Sequence, residues 1–172
     1  MTRLFIVMGM LALLGACAKG LDLGADGSIH QQVRFTLNDE GPGYNDTISH
    51  FLVYQVTNIN QADASLSLVW HLQGSSQVRE ILYGKRPLGL NPPRGAHGYG
   101  DNAPPPALVP GRAYLAYAYS SSPPPDDAFL YFKINWDGTV ALPEQDTQTF
   151  SKLVRALAKA LNEGRHTRIT AR

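Results

Sequence analysis

The chain has little of what folded domains use for cross-linking or for catalysis. Cysteine occurs once, as Cys17, so no disulfide can form within the chain and packing alone must hold the fold. The longest apolar run, residues 4–14, falls well short of the roughly 20 residues a helix needs to cross a bilayer. Charged residues make up 17% of the chain and the net charge is +1, too little of one sign to expect a nucleic-acid partner. No H-E-x-x-H, G-x-S-x-G, S-x-x-K or phosphate-cradling glycine loop is present. The five histidines, His30, His50, His71, His97 and His166, lack the helical spacing of metal ligands. His30, His50 and His71 fall on separate expected strands and could meet only through folding. The run Gly95-Ala96-His97-Gly98-Tyr99-Gly100 follows no apolar strand and opens no helix, which argues against a nucleotide. Asp126-Asp127 lacks the alternating oxygen ligands of a calcium loop. The expectation is therefore a non-enzymatic protein with no cofactor and no metal. A hydrolase whose site is assembled from dispersed residues remains the weaker alternative.

What is present begins at the amino terminus. Arg3, the apolar residues 4–14, and the small pair Gly15 and Ala16 have the three parts of a secretion signal. Leu14-Gly15-Ala16-Cys17 resembles the lipobox of bacterial lipoproteins. That resemblance implies cleavage before Cys17, diacylation of its thiol and usually acylation of the new amino terminus. Two or more fatty chains anchor a protein stably where one holds it only marginally. Ala18-Lys19, rather than Asp, follows the cysteine, and in the Gram-negative members of this class that implies the outer membrane, facing the periplasm. The competing reading is an ordinary secretion signal beside a coincidental cysteine. The expected organisation is a signal peptide over residues 1–16 and a lipidated, glycine-containing tether over 17–27. A β-sandwich domain over 28–145 and a C-terminal helix and basic tail over 146–172 follow.

Apolar periodicity sets the expected fold. Residues 29–37 alternate as a half-buried strand, and residues 47–57 carry apolar side chains on both parities, as a central strand does. Leu66, Leu68, Trp70 and Leu72 show the clearest two-residue period, and Gly74-Ser75-Ser76 reads as a tight turn before a short strand over 77–83. Residues 113–120 form a tyrosine-rich strand, with Tyr114 facing opposite to Tyr117 and Tyr119. Leu130, Phe132, Ile134 and Trp136 alternate before the Asp137-Gly138 hairpin turn and a return strand over 139–142. About seven strands without strand–helix alternation predict a mainly β protein. The architecture is an antiparallel β-sandwich, Ig- or transthyretin-like, with one C-terminal amphipathic helix.

That helix gathers Phe150, Leu153, Val154, Leu157 and Leu161 on one face and Lys152, Arg155 and Lys159 on the opposite one. Asp146 or Thr147 can cap it and Gly164 can end it. Charge is unevenly divided, with 8 Lys/Arg against 13 Asp/Glu from Cys17 to Ser151, and 6 against 1 from Lys152 to Arg172. The basic face either sits in water or meets anionic lipid or an acidic partner.

Recognition is expected on the proline- and glycine-rich residues 84–110, helped by residues 121–127. Long loops at the ends of a sandwich carry function, and prolines limit the entropy lost on binding. Arg86, Arg94, His97, Tyr99 and Asp101 on that loop, with Tyr44 on an earlier one, are the candidate contacts. Further along, Pro110-Gly111-Arg112-Ala113-Tyr114, Phe132-Lys133-Ile134, Asp137-Gly138-Thr139-Val140, Pro143 and Asp146 form a pattern. It resembles small periplasmic immunity lipoproteins of type VI secretion, and the resemblance implies a toxin-neutralising binding module. The alternative is a structural or assembly accessory of an envelope machine, docked through its helix or tail.

Overall fold

The computed structural model describes residues 21–39, 47–60, 64–93, 104–122, 125–144 and 146–169. Among them the chain forms β1 (Leu21–Ser28), β2 (Gln32–Asp39), β3 (Ile48–Thr57), β4 (Ser65–Ser76) and β5 (Glu80–Leu82). These are followed by β6 (Leu90–Asn91), β7 (Ala113–Ser120), β8 (Asp126–Ile134), β9 (Val140–Ala141) and α1 (Thr147–Ile169). The strands make two antiparallel sheets, a three-stranded one in the order β1-β2-β5 and a six-stranded one in the order β6-β4-β3-β7-β8-β9. The mainly β, two-sheet architecture with a C-terminal helix is as the periodicity predicts; the additional strands are β1 and the two-residue β6.

Two apolar clusters explain the layering. Between the sheets, Phe35 of β2 meets Phe51 of β3 at 5.1 Å and Phe132 of β8 at 5.5 Å, and Trp70 of β4 closes edge-on against Phe51 at 5.7 Å. Such tilted aromatic pairs add about 0.5–1.5 kcal/mol each beyond the area they bury. On the outer face of the six-stranded sheet, Leu52, Tyr54, Val56, Leu115, Tyr117 and Tyr131 receive Leu153 and Leu157 of α1. β3 and β7 are therefore buried on both faces, which is why residues 47–57 are apolar on both parities. The expected split of Tyr114 from Tyr117 and Tyr119 follows from the same layering: Tyr114 enters the inner cluster and the other two the outer one.

Three expectations need correction. Residues 21–27, read as tether, are strand: β1 pairs with β2 from Leu21↔Asp39 to Ser28↔Gln32. Buried Leu21 and Leu23 alternate there with exposed Asp22, a two-residue period hidden by the glycines around it. Gly74-Ser75-Ser76 is not a turn but the continuation of β4, where Gly74 lies backbone to backbone against Gly89. A Cβ at Gly74 would stand 1.9 Å from the Gly89 carbonyl oxygen, so the glycine serves a close approach. Gly164 does not end α1, which runs on to Ile169. A single interior glycine costs about 1 kcal/mol relative to alanine, not enough to stop a helix.

The regular alternation of β4 conceals a change of face. Val53 pairs with Trp70 but Tyr54 pairs with Leu68, so Val69 is an extra residue, a β-bulge. One inserted residue reverses every side chain beyond it. Trp70 and Leu72 thus point into the inner cluster, while Leu66 packs with the outer one and Leu68 is left 44% exposed.

Strand direction gives the sandwich two distinct ends. At the end where β1 begins, the Leu21 N–H donates to the Asp126 carboxylate and the Thr47 N–H to the Ser122 hydroxyl at 2.9 Å. At the other end, Ser28 bridges to Thr139 and the Ile29 N–H donates to the Gly138 carbonyl at 2.9 Å. No described helix is long and apolar enough to cross a membrane.

Candidate recognition surface

The second limb of the proline-rich loop, residues 104–112, is fixed to the end of the sandwich opposite the start of β1. The Tyr83 hydroxyl donates to the Pro106 carbonyl at 2.7 Å, and the Val109 N–H donates to the Tyr114 hydroxyl oxygen at 2.8 Å. Gly111 N–H reaches the Ile134 carbonyl at 2.7 Å, and the Ile134 N–H returns to the Arg112 carbonyl at 3.0 Å. Tyr83 is itself held by its N–H on the Val33 carbonyl at 2.9 Å, by the Gln32 side-chain amide on its own carbonyl at 2.8 Å, and edge-on against Trp70 at 5.0 Å. Burial pushes the Tyr114 phenol up, so it stays neutral and keeps its role as a strut.

This limb and the β1–β2 turn enclose an open cleft of about 200 Å³, lined by Ile29, Gln31, Gln32, Val33, Tyr83, Ala107 and Leu108. Ligand pockets for drug-sized molecules run to about 300–1,000 Å³. A cleft of this size suits a single large side chain of a partner.

At the same end of the sandwich is Trp136, 85% exposed. It does not continue the alternation of β8 but sits in the turn before β9, where the Asn135 N–H donates to the Thr139 carbonyl at 2.9 Å. Its ring lies on Gly111, whose φ is 75°; a Cβ there would come within 2.7 Å of the indole, so only glycine seats this ring. Asp137 in the same turn accepts from the Thr139 hydroxyl at 2.7 Å and from the Thr139 N–H at 2.9 Å. Those bonds, with a smaller contribution from nearby His30, hold its carboxyl below the usual range. The turn's polar groups thus satisfy one another and leave the indole as its outward face. The alternation of Leu130, Phe132 and Ile134 masked this residue; its place directly before Asp-Gly was the signal that it belongs to the turn.

Arg94, His97, Tyr99, Asp101 and Tyr44 lie outside the described residues, as does Cys17. Arg86 is exposed on the first limb of the loop. The basic helix face is not uniform: Arg155 is exposed, but Lys152 is half-buried and donates to the Ile59 carbonyl at 3.4 Å. Lys159 lies 4.0 Å from Glu163 one turn on. One of the three cations is thus committed to packing, because Lys152 borders the apolar stripe rather than opposing it.

Folding does bring His50 and His71 together, on β3 and β4, with Nδ1 and Nε2 3.3 Å apart. The ring centroids are 5.6 Å apart, close to the longest separation that such a nitrogen contact permits, so the rings meet head-on. Which ring donates in this contact depends on the tautomers of the two imidazoles. Among the described residues no group of three or more His, Cys, Asp or Glu is placed to hold a metal.

The chain matches no known protein family, no characterised protein and no solved structure in significant degree.

Proposed function

We propose that this protein is a non-enzymatic binding module that grips a protein partner with the Trp136 end of its sandwich, and that Cys17 carries the lipid that holds it to a bacterial envelope membrane. The observation that carries the reading is a side-chain-sized cleft and an indole left 85% exposed over Gly111, both at one end of the sandwich. Exposed aromatics fixed on a stiff turn are the residues that dominate protein interfaces, because they bury much area and lose little entropy. The partner class that the sequence resemblance suggests is a secreted toxin, which the module would neutralise before it reaches its target. A bound protein, rather than a small molecule, also fits the cleft's size.

The test uses the acyl-free chain, made by Cys17→Ser, as bait in an envelope extract and with the products of neighbouring genes. Once a partner is captured, Trp136→Ala should weaken binding by roughly 30-fold, the loss expected of a central aromatic worth about 2 kcal/mol. Its melting temperature should be unchanged, since the indole is mostly in water. Undiminished affinity in Trp136→Ala and in Gln31→Arg, which obstructs the cleft, would remove this end from the interface. Lipidation is tested separately: labelled fatty acid should enter the wild-type chain and not Cys17→Ser.

A further inference from the structure

A sheet edge exposes unpaired backbone N–H and C=O groups, and proteins blunt such edges with charge, proline or shortness. The edges of this sandwich differ in how they are managed. β1 carries exposed Asp22 and Asp26 and is tied at both ends to the large sheet. β5 has three residues, one of them Glu80, and β9 has two. β4 is different. It is 12 residues long, and residues 65–78 contain neither a charge nor a proline. β6 covers only Gln73 and Gly74 of it, because Pro92-Pro93 follow directly and have no N–H to extend the ladder. Among the described residues, residues 65–70 pair with β3 alone.

The surroundings of this edge are apolar. Leu68 is 44% exposed beside it, and Leu66 packs in the outer cluster with Ala160 and Leu161 of α1, so the helix flanks the edge on one face. We infer that residues 65–70 accept an added β-strand, and that the occupant is an uncharged extended segment of the protein partner. Backbone bonds would supply its affinity, and one parity of its side chains would fall against Leu68 and the helix flank. A charged segment would leave its charges desolvated opposite Leu68 and Val69.

A second copy of this chain is the other occupant to weigh, and the tether argues against it. This step rests on the lipid reading above. Antiparallel pairing of two β4 strands turns one copy end for end. One amino terminus would then stand about 55 Å from the other along the strands. Cys17 is joined to β1 by residues 18–20, a reach of about 14 Å at most. Two copies standing on one membrane with the start of β1 downward cannot pair this way.

The experiment is hydrogen exchange on the Cys17→Ser chain, alone and with a probe peptide, an N-terminally labelled octamer of alternating Thr and Val. Alone, amides in residues 65–70 that point away from β3 should exchange as open groups. The probe should bind and slow them, while a probe with Lys at two central positions or with a central Pro should bind at least tenfold more weakly. Leu68→Lys, at an exposed position that spares the core, should weaken the probe by a similar factor. Protection of those amides in the monomer without peptide would show the edge already covered and overturn the inference. So would probe binding indifferent to Leu68→Lys. Sedimentation that shows a dimer abolished by Leu68→Lys but not by Phe150→Lys would assign the edge to a second copy and overturn the choice of occupant. Fatty-acid labelling of the wild-type chain tells a failure here from a failure of the lipid reading, since exchange on the acyl-free chain does not depend on Cys17.

Discussion

Desolvation governs the phenols under the helix. Burial pushes Tyr54 up to about 12, and Tyr131 and Tyr117 are pushed up by burial as well, Tyr117 also by the neighbouring Asp127 carboxylate. In the unfolded chain a phenol ionises near pH 10. Stability from keeping these rings neutral is therefore complete below about pH 10 and is lost as the pH rises through about 12. Urea-unfolding midpoints should fall across that interval, and Tyr54→Phe, which keeps the ring, should fall less steeply. An identical slope in the variant would place the alkaline loss in other groups. The histidine pair shows what single residues in a sequence do not disclose. His50 and His71 stand 21 positions apart, on strands that the periodicity did identify. Their 3.3 Å contact depends on the β3–β4 register and on an irregularity between Ile48 and His50, neither of which a residue type encodes.

At the scale of elements, the helix is joined to the sheet by few side chains, so its docking is open to test. Leu153 is fully buried, and Leu153→Ala should cost about 2–5 kcal/mol, read as a lower urea midpoint. Asp146 caps the helix: its carboxylate accepts the Thr149 N–H at 2.7 Å, and that bond first of all lowers its pKa. Its contribution is present above the unfolded carboxylate range and is lost as the pH falls through the depressed folded value. Asp146→Ala should lower the melting temperature by a few degrees at neutral pH and make no difference in strong acid. A difference that persists in acid would mean that the capping bond is not what was lost. The helix, its cap and the Leu153, Leu157 and Leu161 part of its apolar stripe were legible because a 3.6-residue period and an Asp start are local signals, whereas Val154, read into the same stripe, is 38% exposed. So were β7 over residues 113–120 and the Asp137-Gly138 turn. The bulge at Val69 was not, since Leu66, Leu68, Trp70 and Leu72 keep perfect alternation while the backbone changes face between the second and third. The strand character of residues 21–28 was obscured by Gly24 and Gly27, which look like linker and serve the close β1–β2 approach.

For the whole molecule, a lipid on Cys17 would set orientation as well as location. If the thiol carries the lipid, residues 18–20 reach about 14 Å, so the end holding Leu21, Asp126 and Ser122 faces the membrane. The strands of the large sheet run from that end to the other, and Trp136 lies at the far one, past the end of β8. The proposed recognition surface would then point into the compartment and away from the bilayer, which is where a module that intercepts a soluble partner has to present it. The chain's two tryptophans make the geometry measurable. Trp70 is buried between the sheets and Trp136 is 85% exposed, so the emission lost in Trp136→Phe isolates the outer indole. With the lipidated protein in vesicles, that emission should be quenched by aqueous iodide as strongly as in the acyl-free chain. Lipids brominated along their acyl chains should leave it untouched. A nitroxide placed on Ser122, at the opposite end, should by contrast sense the headgroups. Quenching of Trp136 by brominated lipid would lay the sandwich on its side or invert it, and would remove the Trp136 end from any role in meeting a partner off the membrane.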